Sequence, residues 1–216
     1  HRAYLYMFEQ SLKDFSEGPV GVPWWDWTSR RSRQEGIPEQ FTLEQINGED
    51  NPLFKAEIDI CFPDIHEETN RRTDNSPAEL RWRIDNFSER LPQIPDQENN
   101  SGVPGGNLIE RLLALRDFGD FSDALQTIHG AIHVFVGGSM GNTDKAAYDP
   151  IFWSHHAMVD RIWRLWQLKN GNSTMPEKML DKALAPFPLT VREVLNVHDL
   201  GYDYAGIEMS VGGNNQ

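Results

Sequence analysis

Seven histidines, His1, His66, His129, His133, His155, His156 and His198, carry most of the chemical information in this chain of 216 residues. Imidazole is the side chain best suited to hold a transition metal or to exchange a proton near neutral pH. His129 and His133 stand four residues apart. On a helix that spacing puts both rings on one face, where they can grip one ion. Alone, such a pair is a modest signal, served equally well by a surface or core pair. His155 and His156 are adjacent, and on a helix they would point about 100° apart. Only one of them joins His129 and His133 easily. Asp160, one turn after His156, and Asp149, at the entrance of the same segment, are candidates to accept an imidazole N–H and fix its tautomer. Three neutral imidazoles with no thiolate suit copper or zinc with an open coordination position. A zinc protease needs Glu directly after the first histidine of the pair; Gly130 stands there, which disfavours hydrolysis by that route. His66, beside Asp64, Glu67 and Glu68, reads as a solvated side chain, and His198 as a surface or core-edge residue.

These residues need elements to position them. Tyr4, Leu5, Phe8 and Leu12 recur at helical spacing, so residues 1–14 are expected to be helical, ending at Gly18-Pro19. The chain opens as if inside that element, with no cap before it. Trp24-Trp25-Asp26-Trp27-Thr28 is too aromatic for a solvated loop and is expected to line the core. Residues 29–75 mix charge, Pro and Gly, and read as a long connection with little regular structure. Ser76 and Pro77 suit the cap and first position of a helix reaching at least Arg83. Residues 93–106 read as a surface loop, and Leu108–Arg116 as a helix. Leu125, Ile128, Ile132 and Phe135 place a helix over about Ser122–Val134, stopped by Gly137-Gly138. The strongest helical signal runs from about Pro150 to Lys169 and closes at Asn170-Gly171. A short helix is expected over Thr190–Leu195, and irregular chain or short strand over 201–216. The outline is mainly α with long loops, in one domain spanning 1–216.

Composition narrows the function. Hydrophobic content of 38% and seven Trp fit a folded core. A net charge of −13 argues against a nucleic-acid partner, which would need clustered Lys and Arg. No stretch approaches the roughly 20 apolar residues of a membrane span. The single cysteine, Cys61, excludes an intrachain disulfide framework and a thiolate cluster, and is expected to be a buried free thiol. Asn86, Asn99 and Asn172 begin Asn-x-Ser/Thr triplets. They favour a secreted or extracellular, glycosylated protein, with the cytoplasm as the alternative.

Asp149-Pro150-Ile151-Phe152-Trp153-Ser154-His155-His156-Ala157-Met158-Val159-Asp160-Arg161 closely resembles the second copper signature of the type 3 copper proteins: tyrosinases, catechol oxidases and molluscan haemocyanins. The pattern makes His156 the ligand of the adjacent pair. His129 and His133, within Ile128-His129-Gly130-Ala131-Ile132-His133-Val134, match the other two ligands of the same copper, CuB. His1-Arg2-Ala3-Tyr4-Leu5-Tyr6-Met7-Phe8-Glu9 resembles the end of the first signature, where His1 matches the third ligand of CuA. Val22-Pro23-Trp24-Trp25-Asp26-Trp27-Thr28 and Tyr202-Asp203-Tyr204 resemble two further family motifs, in the same order. The family's first two CuA ligands precede the position of His1, so the resemblance implies an N-terminal segment supplied separately, on a longer or processed chain.

The resemblance implies a helical, antiparallel bundle holding two copper ions, CuA and CuB. With O2 these oxidise o-diphenols to o-quinones. The family often has Asn after the first CuB histidine, where this chain has Gly130, and Glu as a water-holding partner, where Gln126 and Asp120 are the nearest candidates. Gln126 is no base, whereas Asp120 could be one if it reached the site. Thr143 matches the Phe that covers the site in plant catechol oxidases, and its smaller side chain implies an open site. The expectation is a diphenol oxidase with weak monophenol hydroxylation. The alternatives are a tyrosinase proper, a haemocyanin-like O2-binding unit, and a non-catalytic half-site.

Overall fold

Helix α1 (Arg2–Asp14) begins directly after His1 and buries Arg2, Ala3 and Leu5 against the longest helix of the chain, α6 (Ile151–Asn170). The computed structural model describes residues 1–59, 66–95 and 98–207; Cys61 lies outside them. Helix α5 (Phe118–Val136) carries a buried stripe of Phe121, Leu125, Ile128, Ile132, Phe135 and Val136, the 3.6-residue pattern of a helix packed on one side. It starts four residues before the position that apolar spacing gives. The reason is local: the Asp117 carboxylate accepts from the Gly119 and Asp120 N–H groups at 2.8 and 3.2 Å, capping the extra turn. Helix α6 is buried around most of its circumference, from Ile151 and Phe152 to Leu165 and Trp166, as befits the central element.

Helices α3 (Pro77–Ser88) and α4 (Leu108–Ala114) complete the core. Helix α3 is capped by Ser76, as the sequence implies, and packs on α4 and α5; α4 packs on α5 and α6. Helix α4 opens with a reciprocal Asn107–Glu110 capping box. Trp166 is fully buried, stacks on Phe121 at 4.8 Å and donates its indole N–H to the Leu115 carbonyl at 2.6 Å. Trp25 and Trp27 are buried as expected, and the Trp25 N–H donates to the Ser154 carbonyl at 2.9 Å, laying this segment along α6.

The connection 29–75 holds more regular structure than its composition suggests. Helix α2 (Arg30–Glu35) packs on α3, and two antiparallel hairpins follow, β1 (Gln45–Ile46) with β2 (Glu49–Asp50) and β3 (Glu57–Asp59) with β4 (His66–Glu68). His66 therefore lies in a strand rather than a loop. The expected helix at 190–195 is a 3-10 turn, Arg192–Val194, and α7 (Glu177–Leu180) is a short helix between α6 and that turn. The architecture is mainly helical with little strand, as read from the sequence. Among the described residues no helix is long and apolar enough to cross a membrane.

Candidate metal centre

His129 and His133 face inward from α5 and His155 and His156 from α6. One ring nitrogen from each of the four lies within 4.8 Å of the others. The close contact is between α5 and α6: His133 Nε2 and His156 Nε2 are 3.1 Å apart. The Nδ1–H of His133 donates to the Met140 carbonyl at 2.8 Å, which fixes the tautomer and leaves a lone pair on Nε2. His156 also stacks on His1, ring centroids 3.8 Å apart and planes 23° from parallel. His1 thus joins the group from the end of α1 while remaining exposed.

A sharp turn aims the Met140 carbonyl. Gly138 has φ +54°, and a Cβ there would lie 2.3 Å from the Asn70 carbonyl oxygen. Only glycine allows that approach. Ser139 and Asn70 then lock the turn through Ser139 N–H to Asn70 O at 2.8 Å and Asn70 N–H to Ser139 Oγ at 3.0 Å.

The electrostatics favour neutral imidazole throughout. Burial, with some repulsion from His133, lowers the pKa of His129 to about 4. Burial likewise lowers His133, His155 and His156, and the neighbouring histidines push the last two further down. At neutral pH these rings therefore carry free lone pairs, the form that binds metal.

His129 Nε2, His156 Nδ1 and both nitrogens of His155 are buried without a hydrogen-bond partner among the described residues. Leaving a polar group in that condition costs about 1–3 kcal/mol. An ion bound to the group would relieve part of that cost. The 3.1 Å separation of the two Nε2 atoms is close to the roughly 3.3 Å edge of a tetrahedron with metal–nitrogen distances near 2.0 Å. The donor set fits a histidine-bound copper or zinc ion.

Two expectations about the carboxylates need correction. Asp149 holds no imidazole. It accepts from the Arg71 guanidinium, with Nε at 2.9 Å, and from the Ile151 N–H at 3.1 Å, capping α6. Asp160 accepts from Arg2 Nε at 2.6 Å and from the Tyr202 and Tyr204 hydroxyls at 2.7 Å each. Among the described residues neither carboxylate is bonded directly to an imidazole. His155, the member of the adjacent pair that the resemblance does not make a ligand, also lies within the four-histidine group, fully buried. Its ring is parallel to His129 at 5.2 Å and faces Trp27 at 6.3 Å on another side.

Gln126, one turn before His129, lines a cavity of about 270 Å³ with His1, His129, His156 and apolar Phe121 and Leu125. Gly130 borders open space: a Cβ placed there would meet nothing within 4 Å. Thr143 is exposed in the turn after Met140 and is not among the residues lining that cavity. Asp120 is exposed in the first turn of α5, about 14 Å along the axis from His129, too far to serve there. His198 is exposed and bonded to Arg164 at 2.9 Å, away from the group. The Met140 carbonyl and the Arg2–Asp160 pair escaped the sequence reading. A backbone carbonyl leaves no mark in a sequence, but an Arg beside a candidate ligand was a visible signal.

A mainly helical scaffold that turns imidazoles from two long helices toward one point defines a histidine-only metal protein. The common central domain of tyrosinase matches residues 1–169, and the chain belongs to that family, the type 3 copper proteins. It is 31% identical over 175 residues to hemocyanin G-type, units Oda to Odg, of Enteroctopus dofleini, covering 77% of this chain and 5% of that one. It is 28% identical over 177 residues to a tyrosinase of Streptomyces glaucescens, covering 80% of this chain and 62% of the tyrosinase. Among solved structures, a functional unit of Octopus hemocyanin aligns with a TM-score of 0.71 at 28% identity, covering 96% of this chain and 51% of that unit. The chain thus spans only a small part of the long hemocyanins it matches.

Proposed function

We propose that this chain forms the greater part of a copper oxidase that converts o-diphenols to o-quinones with O2, and hydroxylates monophenols weakly. The observation that carries the reading is the group of four neutral histidines, two buried and two half-buried, with one ring nitrogen from each within 4.8 Å of the others and His156 stacked against a fifth, His1. Copper held there would supply O2 binding and electron transfer from the phenol. The balance is two diphenols and one O2 to two quinones and two waters.

In this reading His129, His133 and His156 hold CuB. The 3.1 Å approach of His156 to His133 supports His156 over His155, whose ring packs on His129 instead. Met140 fixes the His133 ring through its carbonyl. His1 belongs to CuA, with its companion ligands on a segment before it. Gly130 offers an approaching phenol no hydrogen bond, and Gln126 is a neutral amide that cannot take up a phenolic proton. A monophenol, which must lose that proton first, is therefore the poorer substrate. Exposed Thr143 leaves the approach open to bulky phenols. Secretion stays part of the proposal, and exposed Asn172 offers a site for a glycan.

Metal analysis of the purified protein, with an intact-mass inventory of every polypeptide present, and oxygen uptake on catechol and on tyrosine test this. Two coppers and rapid catechol oxidation with slow, primer-dependent tyrosine oxidation are expected. Reversible O2 binding without catechol turnover would make it a haemocyanin-like carrier, and prompt tyrosine hydroxylation a tyrosinase proper. One copper or a zinc, with no oxidation, would leave a half-site and sink the enzyme reading.

A further inference from the structure

We propose that Asp160 is a positioning residue that sets the His1 ring against His156, and that Tyr202 and Tyr204 make the C-terminal segment part of this device. Asp160 is one of few buried charges among the described residues, 4% exposed, and its carboxylate bonds to three groups outside α6. One oxygen accepts from Arg2 Nε at 2.6 Å. The other accepts from both phenols at 2.7 Å, so the carboxylate is held in one orientation by three donors.

Arg2 is held as tightly. Its guanidinium lies 3.7 Å over the Trp163 ring, and its Nη1 donates to Gln167 Oε1 at 3.1 Å and to the Val194 and Leu195 carbonyls at 3.1 and 2.7 Å. Along the chain, Arg2 follows His1 and Asp160 lies one helical turn after His156. The ion pair and the 3.8 Å ring stack therefore close one loop: His1, Arg2, Asp160, His156. A slip of α1 along α6 would break both ends together.

The phenols add no charge. Burial, reinforced by the Asp160 carboxylate, drives the pKa of both tyrosines far up, so they stay protonated and remain donors. Removing their hydroxyls frees the Asp160 oxygen that the tail holds and loosens the carboxylate that Arg2 follows. The same tail is tied to α6 a second time, further out, where Arg164 donates to Asp203 at 2.9 Å without touching Asp160. That second tie supplies a control.

The test uses the full chain with labelled histidine, comparing the double variant Tyr202→Phe/Tyr204→Phe with Arg164→Ala. Tyrosine to phenylalanine keeps the rings and avoids stranding Arg2 in the core, as Asp160→Asn would. His1 ring resonances, assigned with His1→Gln, report the stack through its ring-current shift. In the double variant they are expected to move toward unstacked values, and copper affinity by chelator competition to fall about tenfold or more. Arg164→Ala is expected to lower stability with His1 unmoved and affinity changed less than about twofold, the scale of a rim contact. Equal movement of His1 in both variants, or loss of stability in the double variant with His1 unmoved, overturns the proposal. The affinity arm rests on the metal reading above; the ring-shift arm does not. Movement of His1 with copper affinity intact would uphold the positioning role and remove His1 from the ligand set.

Discussion

Acid should destabilise the metal-free chain well before its carboxylates titrate, and His129 allows the size of the effect to be worked out. Burial, and next the nearby His133, lowers its pKa from 6.5 to about 4. The folded pKa is depressed, so stability is complete above 6.5 and is lost as pH falls through the interval down to about 4. In that interval the unfolded chain takes up a proton that the folded chain refuses. At about 1.4 kcal/mol per pH unit, His129 alone removes about 2 kcal/mol between pH 7 and pH 5, and about 3 kcal/mol in full. His133, His155 and His156 are displaced the same way and steepen the slope. Urea unfolding of metal-free protein at pH 7, 6 and 5 measures it, and His129→Gln isolates one histidine. The variant should lose about 2 kcal/mol less than the parent over that range. Parallel slopes in the two proteins, or a parent that gains stability on acidification, would refute the picture of a neutral, buried imidazole group.

Other perturbations separate the remaining roles. His156→Ala should abolish copper binding at CuB and with it catechol oxidation. His155→Ala should keep the copper and lose about 2 kcal/mol or more of stability to the cavity it leaves; equal copper loss in both would overturn the choice of ligand. Gly138→Ala places a methyl group 2.3 Å from the Asn70 carbonyl. It should cost about 2 kcal/mol or more in chemical denaturation and weaken copper binding by displacing the Met140 carbonyl from His133; an unchanged affinity would show that carbonyl to be dispensable. Gly130→Asn enters open space, so stability should change by less than about 0.5 kcal/mol. The ratio of monophenol to diphenol turnover should rise, and a constant ratio would free position 130 of any part in substrate choice.

What could be read from the sequence was what the chain settles over a few residues. Pro150 at one end and Asn170-Gly171 at the other bound α6, and the His129–His133 spacing put two rings on one face of α5. Helix α2 was missed because Arg30-Arg-Ser-Arg-Gln-Glu has no apolar period. It is held by Ser29 at its start, by the Trp25 indole donating to Ser32 at 3.1 Å and by Arg33 on Asp85 at 2.6 Å. The carboxylates failed for a related reason. Helical spacing placed Asp149 and Asp160 beside imidazoles, but their partners, Arg71 and Arg2, lie 78 and 158 residues away in the chain. A guanidinium offers a buried carboxylate a stronger, charge-assisted bond than a neutral imidazole can. That competition also explains the metal centre. With both acids committed to arginines, the rings on α6 keep nitrogens that have no hydrogen-bond partner among the described residues. The arginines that hold the helices in place thus leave the histidines free for an ion.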